Sequence, residues 1–316
     1  MSSGSADPAG PATRLPVVYV VGSSHSGSTL LALLASRHPE MASVGEAHVK
    51  PSIRREGRAA EQRCSCGETI AACPFWKAVF ARVARAGLVL DARHWGNDYR
   101  FESPLLDRLF TRETSSIPLR RLRRWASRHL PIHRARMRRV DAVNVAFLQA
   151  ILDESGGRVV LDCTKLPTRL THLLEVPEID VRVVWLTRDP RGVAYSARRR
   201  GEAFDAAATV WSHDQAAAAH LLAPLPADRR LHLRYEDLCV DPLGSLGRLW
   251  SFAGLAPIAP LPEVEPASQH VLGNRMRITA RLELRQDEAW RNGLTTAEQE
   301  RVLAITAPWA ARLGYG

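Results

Sequence analysis

The feature that most constrains this chain is the run Val17-Val-Tyr-Val-Val21, which passes directly into Gly22-Ser-Ser-His-Ser-Gly27-Ser-Thr29. Leu30, Leu31, Leu33 and Leu34 then follow at helical spacing, and His38-Pro39 stops the pattern. A short, continuous β-branched and aromatic run is the signature of a strand buried on both faces of a parallel sheet. The order is therefore strand, glycine loop, helix. Gly22 and Gly27 carry the G-x-x-x-x-G spacing of a phosphate-binding loop in the context that gives the motif meaning. There, successive backbone N–H groups and the helix N-terminus form a concave anion site that glycine lets an oxyanion approach closely. A nucleotide triphosphatase would follow the second glycine with Lys and then Ser or Thr. Here Ser28 stands in the lysine's place, with Thr29 after it. Ser24, His25, Ser26, Gly27, Ser28 and Thr29 thus offer amides and hydroxyls, which suits a group less charged than a γ-phosphoryl and independent of Mg²⁺. Taken alone, the loop could also be an ordinary glycine turn.

Further buried strands are expected at Met41 to Val44, Arg158 to Leu161, Val181 to Leu186 and Leu231 to Leu233, with helical patterns between them. The expected fold class is α/β: a P-loop-like three-layer fold with a central parallel sheet flanked by helices. From about residue 47 to 157 the pattern changes to amphipathic helices and loops, read as a helical insertion in a single domain spanning 15–316. Residues 1–14 are small and polar, a disordered lead-in without the apolar segment of a signal peptide. No apolar run approaches the roughly 20 residues needed to span a bilayer, and a cytoplasmic location is expected.

The formal charge of +10 is local. Nine arginines, Arg120, Arg121, Arg123, Arg124, Arg128, Arg134, Arg136, Arg138 and Arg139, lie in an acid-free stretch between Glu113 and Asp141. Without those nine, the 43 basic residues fall to 34 against 33 acidic ones, which argues against a general nucleic-acid binder. The stretch reads as a solvated helical face, the alternative being a surface that binds an acidic acceptor or guides an anionic donor. Lysine is confined to Lys50, Lys77 and Lys165, beside 40 arginines, a bias expected of a GC-rich bacterial genome. Cys64, Cys66 and Cys73 cluster within ten residues. Three readings stand: a metal site, whose fourth ligand the spacing does not supply, a local disulfide, or thiols packing a small loop against Phe75 and Trp76. No metal is assigned.

A second anion site follows the strand ending at Leu186, in Thr187-Arg188-Asp-Pro-Arg191-Gly-Val-Ala-Tyr-Ser196. Pro190 sits where a helix begins, so Arg188 at the strand end and Ser196 on the helix can converge on one phosphate, the guanidinium bidentately.

The paired motifs resemble the PAPS-dependent sulfotransferase superfamily (PAPS, 3′-phosphoadenosine-5′-phosphosulfate). The likeness extends through Leu233-Arg-Tyr235-Glu-Asp-Leu238, Asp241-Pro242, His270-Val-Leu-Gly273-Asn-Arg275-Met-Arg277, Trp290 and Arg312-Leu-Gly-Tyr315. It implies that the glycine loop cradles the 5′-phosphosulfate and that Arg188 and Ser196 bind the 3′-phosphate. It further implies that Tyr235 touches the adenine and that Arg275 or Arg277 reaches the 3′-phosphate. His38-Pro39 through Gly45-Glu46 resembles the tyrosine and carbohydrate branch, which makes Glu46 the expected base. Asp162-Cys-Thr-Lys165-Leu-Pro167 resembles a segment whose Lys contacts the transferring group. His25 departs from the family's Lys or Arg: either it is protonated beside the anion, or it donates a hydrogen bond while Lys165 supplies the charge. The implied reaction is sulfuryl transfer from PAPS to a small-molecule, glycan or peptide hydroxyl, releasing PAP, with no metal required. The competing expectations are a Mg²⁺-dependent degenerate P-loop kinase and an inactive anion- or glycan-binding relative.

Overall fold

The computed structural model describes residues 14–48, 61–93, 95–101, 129–263, 268–278 and 286–316, with 103, 105–107, 122, 125 and 284. Among these, the elements in chain order are β1 (Leu15–Val21), α1 (Ser28–Ala35), β2 (Met41–Gly45), α2 (Pro74–Arg85), α3 (Pro131–Ser155), β3 (Val159–Asp162) and α4 (Pro167–Leu173). They continue with β4 (Ile179–Thr187), α5 (Pro190–Arg198), α6 (Phe204–Leu222), β5 (Arg230–Arg234), α7 (Tyr235–Val240), α8 (Pro242–Ala253), α9 (Trp290–Gly293) and α10 (Thr296–Ala310). The expected lead-in, apart from Arg14, lies outside the described residues, as do Arg120, Arg121, Arg123, Arg124 and Arg128.

The five strands form one parallel sheet in the order β2-β3-β1-β4-β5. Central β1 explains the uninterrupted apolar run. Val17, Tyr19 and Val21 face one core, while Val18 and Val20 face the other. Alternation with period two thus buries both sets, because each sheet face carries helices. On the first face lie α2 and α3; on the second lie α1 and α8. Strand β4 runs longer than its apolar segment because it pairs with β1 on one side and β5 on the other.

Helices α2 and α3 fall between β2 and β3. Trp76, Val79, Phe80 and Val83 recur at helical spacing on the buried side of α2, and Trp76 packs on Trp95 and Phe147 with ring centroids 5.8 and 6.2 Å apart. At the start of α3, Arg134, Arg138 and Arg139 are exposed, as a solvated face requires. Arg136 is engaged instead, donating to the carbonyls of Tyr99 (3.0 Å) and Arg100 (2.7 Å). No described helix is long and apolar enough to cross a membrane.

Candidate active site

In a parallel sheet the carboxyl ends of all strands lie on one edge, where the crevice of an α/β protein opens. The segments leaving β1, β2, β3 and β4 carry Gly22 to Gly27, Glu46, Lys165 and Arg188 respectively. Four separate stretches of sequence therefore converge by topology alone.

The loop after β1 is held tightly from both sides. Gly22 has φ 146°, and a Cβ there would lie 2.2 Å from the Leu186 carbonyl oxygen of β4. Gly27, at φ 89°, would drive a Cβ to within 2.4 Å of the Tyr235 ring. Only glycine fits these two positions. His25 also has positive φ, 64°, which is uncommon outside glycine and concentrates at functional loops. Ser24 is exposed and His25 half-buried, whereas Ser26, Ser28 and Thr29 are buried. The hydroxyls of Ser23 and Ser26 are buried without a hydrogen-bond partner, as is Nε of Arg188. Unpaired buried polar atoms are costly. Grouped around one concave loop, they fit an absent oxyanion.

The cation missing from the loop comes from β3. Nζ of Lys165 donates to Ser28 Oγ (2.7 Å), to Glu46 Oε1 (3.1 Å) and to the Cys163 carbonyl (3.1 Å). Lys165 is itself at positive φ, 61°, and its side chain is 9% exposed. Ser28, Glu46 and Lys165 thus meet at the mouth of the loop: a hydroxyl at a helix N-terminus, a carboxylate and an ammonium within one hydrogen-bonded set.

A buried polar layer beneath them fixes that set. Asp162 is paired with Arg169 Nε at 3.0 Å, with the two side chains 0% and 3% exposed. Asp162 Oδ1 accepts from the Thr164 amide (2.9 Å) and from its hydroxyl. Thr164 Oγ1 accepts in turn from the Ala47 amide (3.0 Å), the residue after Glu46. Arg169 also donates to Asn144 Oδ1 (2.5 Å) and to the Asn97 carbonyl (3.1 Å), while Asn97 Nδ2 donates to the Ala47 carbonyl (2.8 Å). The backbone flanking Glu46 and Lys165 is therefore pinned by one network that also recruits α3. Next to it, His48 is half-buried, and its desolvation pushes the imidazole down to about 4, so it is neutral near pH 7.

On the β4 side, Arg188 Nη1 donates to the His25 carbonyl (3.1 Å) and Nη2 to Asp287 Oδ2 (3.1 Å). Its guanidinium lies 4.3 Å from the Tyr235 ring centroid. Tyr235 is 5% exposed, seated against Gly27, with its OH accepting from the Asp287 amide (3.3 Å). In this arrangement it props the loop and Arg188. Ser196 is half-buried on α5, one turn beyond Gly192, where a Cβ would lie 3.2 Å from Arg188 Nε. The spacing of four puts Gly192 and Ser196 on one face of α5. Asp189 caps α5 by accepting from the Arg191 amide (2.8 Å), with Pro190 in the first turn as expected. Trp211 Nε1 donates to the Arg188 carbonyl (3.1 Å), and Tyr315 bonds both Thr187 Oγ1 (2.9 Å) and Glu236 Oε2 (3.1 Å). The Tyr-Glu-Asp and Leu-Gly-Tyr segments thus lock the strand end that carries Arg188.

Arg277 is engaged elsewhere. It donates to the carbonyls of Arg63 (2.8 Å), Asn274 (2.7 Å) and Gly273, on the Glu46 side of the crevice. The side chain of Arg275 lies outside the described residues. The surrounding segment joins the sheet edge: Leu272 donates its amide to Val44 O (2.8 Å) and accepts from the Glu46 amide (3.2 Å). None of the cysteines is in a disulfide, and distant His270 is brought against Cys64 and Cys73.

Sequence reasoning missed Arg169, Asn97, Asn144, Asp287 and His270. Asp162 at a strand end was the one local signal for the buried network, and nothing in its vicinity names its partners.

Comparison with known proteins gives a consistent result. The chain is 31% identical over 176 residues to carbohydrate sulfotransferase 5 of Mus musculus, covering 46% of this chain and 44% of that protein. It is 30% identical over 176 residues to carbohydrate sulfotransferase 6 of Homo sapiens, with the same shares covered. The chain thus matches less than half the length of these curated relatives. Its fold is similar to the sulfotransferase domain from the Synechococcus PCC 7002 olefin synthase (TM-score 0.52, 20% identity, 98% of each chain). It is similar also to the sulfotransferase domain from the curacin biosynthetic pathway (TM-score 0.53, 20% identity, 96% of this chain and 99% of that one). A model of the sulfotransferase family matches residues 16–259, most of the chain and every strand of the sheet: the chain belongs to the sulfotransferase family.

Proposed function

We propose that the chain transfers a sulfuryl group from PAPS to an acceptor hydroxyl and releases PAP. The observation that carries this is the Ser28–Lys165–Glu46 set at the mouth of the glycine loop. The amides and hydroxyls of Ser24 to Thr29 hold the 5′-phosphosulfate, with the unpaired Ser26 hydroxyl directed to it. Arg188 and Ser196 hold the 3′-phosphate. The Asp287 side chain is 42% exposed, so its pair with Arg188 is of modest worth, and a phosphate can replace it. Arg277 braces the segment behind Glu46, and Tyr235 supports the loop.

The donor supplies an electrophilic sulfur with a stable leaving group. Glu46 takes the proton of the acceptor hydroxyl as its oxygen bonds to sulfur. The S–O bond to the nucleotide breaks on the opposite side, and Lys165 stabilises the negative charge gathering on the departing oxygen. The half-buried ammonium does the work expected of the loop lysine or arginine. His25, whose carbonyl is held by Arg188, then need only donate a hydrogen bond. The resemblance to carbohydrate sulfotransferases favours a sugar hydroxyl as acceptor, with small-molecule alcohols and phenols next.

The test is PAP release with addition of one SO₃ to the acceptor, measured by mass spectrometry over a panel of sugars, alcohols and phenols in Mg²⁺-free buffer. Glu46→Gln should lower kcat by about 10²–10⁴-fold with PAP binding unchanged. Near-full kcat in that variant on a confirmed acceptor would remove Glu46 as the base.

A further inference from the structure

We propose that Cys64, Cys66, Cys73 and His270 form a structural zinc site that clips the loop after β2 to the segment running beside Glu46. One donor atom from each, three Sγ and the His270 nitrogen, lies within 4.8 Å of all the others. Zinc bonds thiolate at about 2.3 Å and imidazole at about 2.0–2.1 Å, usually in a tetrahedron. The edges of that tetrahedron follow directly: about 3.8 Å between sulfurs and about 3.5 Å from sulfur to nitrogen. Observed are 3.6 Å for Cys66 Sγ to Cys73 Sγ, 3.6 Å for Cys64 Sγ to His270 Nδ1 and 3.4 Å for Cys73 Sγ to His270 Nδ1. A disulfide requires about 2.05 Å between sulfurs, far shorter than the cysteine separation here. The four groups are spaced for a small ion among them, not for a disulfide.

The surroundings match a built site. Cys64, Cys66 and Gly67 lie on one tight turn. The turn is closed by Gly67, whose amide donates to the Cys64 carbonyl (3.0 Å). The His270 ring stacks on Phe75, centroids 4.7 Å apart and 5° from parallel, which fixes the direction of Nδ1. Such outer-shell support is what holds metal ligands in place. Cys64 and Cys73 are buried, Cys66 and His270 half-buried. Four protein ligands leave no open position, so the site is structural rather than catalytic.

Its position gives it a task. His270 lies two residues before Leu272, whose backbone pairs with Val44 and Glu46. Four residues after it, the Asn274 amide donates to Thr29 Oγ1 (3.3 Å) in the glycine loop. Ser65, between two of the cysteines, accepts from the Val271 amide (2.9 Å). A metal here fastens a strap that touches both the carboxylate and the anion loop, across 197 residues of sequence between Cys73 and His270.

The test is metal analysis of wild-type protein purified without chelator, expected to hold one zinc per chain. Cobalt(II) exchanged into chelator-treated protein should give thiolate-to-metal charge-transfer bands and tetrahedral d–d bands. Chelator-treated protein should melt lower and recover with Zn²⁺ but not Mg²⁺. Cys66→Ser and His270→Asn should each lower zinc affinity by more than the ~10–100-fold lost with an outer-shell partner, whereas Cys239→Ser should keep the metal. Should either ligand variant fail to fold, zinc content and the cobalt spectrum of the wild type still decide. Metal-free wild type that takes up neither Zn²⁺ nor Co²⁺, or a Cys66–Cys73 disulfide mapped by mass spectrometry, would overturn the site. These readouts need neither PAPS nor an acceptor, so they stand or fall apart from the proposed reaction.

Discussion

Lys165→Met is the perturbation that most sharply tests how this loop works without its own lysine. Methionine keeps the length and most of the packing of the stem but removes the ammonium. The structure supplies the terms of the estimate. Nζ is 2.7 Å from Ser28 Oγ and 3.1 Å from Glu46 Oε1, on a side chain 9% exposed. A preorganised charged donor at such a site is worth about 2.7–4 kcal/mol to the transition state, or about 10²–10³-fold in kcat. PAP keeps the departing oxygen on its 5′-phosphate, fully charged, so Lys165 contributes to product binding as well. Affinity for PAP should therefore fall too, by about 10-fold or more, the equivalent of at least ~1.4 kcal/mol. The assay pairs kcat on a confirmed acceptor with calorimetric PAP affinity on the same preparations. A kcat within 10-fold of wild type, or an unchanged PAP affinity, would refute the assignment of Lys165 to the leaving oxygen.

Two outcomes concern the buried frame. Asp162→Asn leaves the Arg169 guanidinium in the core without its counter-charge, and breaking such a pair costs about 3–5 kcal/mol; thermal melts should show a drop of several degrees, and an unchanged Tm would mean that the network is not stabilising. His172 is stacked on Tyr99 at 4.3 Å and burial pushes it down to about 4, below its ordinary 6.5. The unfolded chain takes up its proton first, so the stability this group contributes is complete above pH 6.5 and is lost as pH falls toward 4, by up to ~1.4 kcal/mol per pH unit. His172→Phe should flatten the slope of Tm against pH in that window; an unaltered slope would place the acid sensitivity elsewhere.

The parts of this molecule that were legible in the sequence share one property: their physics is local. Strands β1 and β3 show as apolar runs because both their faces are buried, and the glycine loop shows because Gly22 and Gly27 need φ values that other residues avoid. Asp189 and Pro190 announce the start of α5 in the same way. What the sequence did not show is held together by pairs distant along the chain. Arg169 meets Asn97 and Asn144 from 72 and 25 residues away, and Asp287 meets Arg188 from 99. His270 is the sharpest case. The three cysteines leave a metal as one of three readings, and the residue that joins them lies 197 residues beyond Cys73 in the chain. Tyr235 illustrates a different limit. Its position in the motif was readable, but that its ring is occupied by Gly27 and Arg188 depends on packing.

The central claim is that this crevice is built for PAPS and not for a metal-bound triphosphate. It is tested most directly by thermal and calorimetric titration of PAP in Mg²⁺-free buffer, with Arg188→Ala and Ser196→Ala beside the wild type. At about 100 times its dissociation constant, PAP should stabilise the wild type by ~2.7 kcal/mol. Arg188→Ala should weaken binding by about 10–100-fold, the worth of hydrogen bonds to a charged group at ~1.5–3 kcal/mol, and Ser196→Ala by less. Stabilisation by ATP with Mg²⁺ and none by PAP, or PAP affinity indifferent to Arg188, would contradict the account.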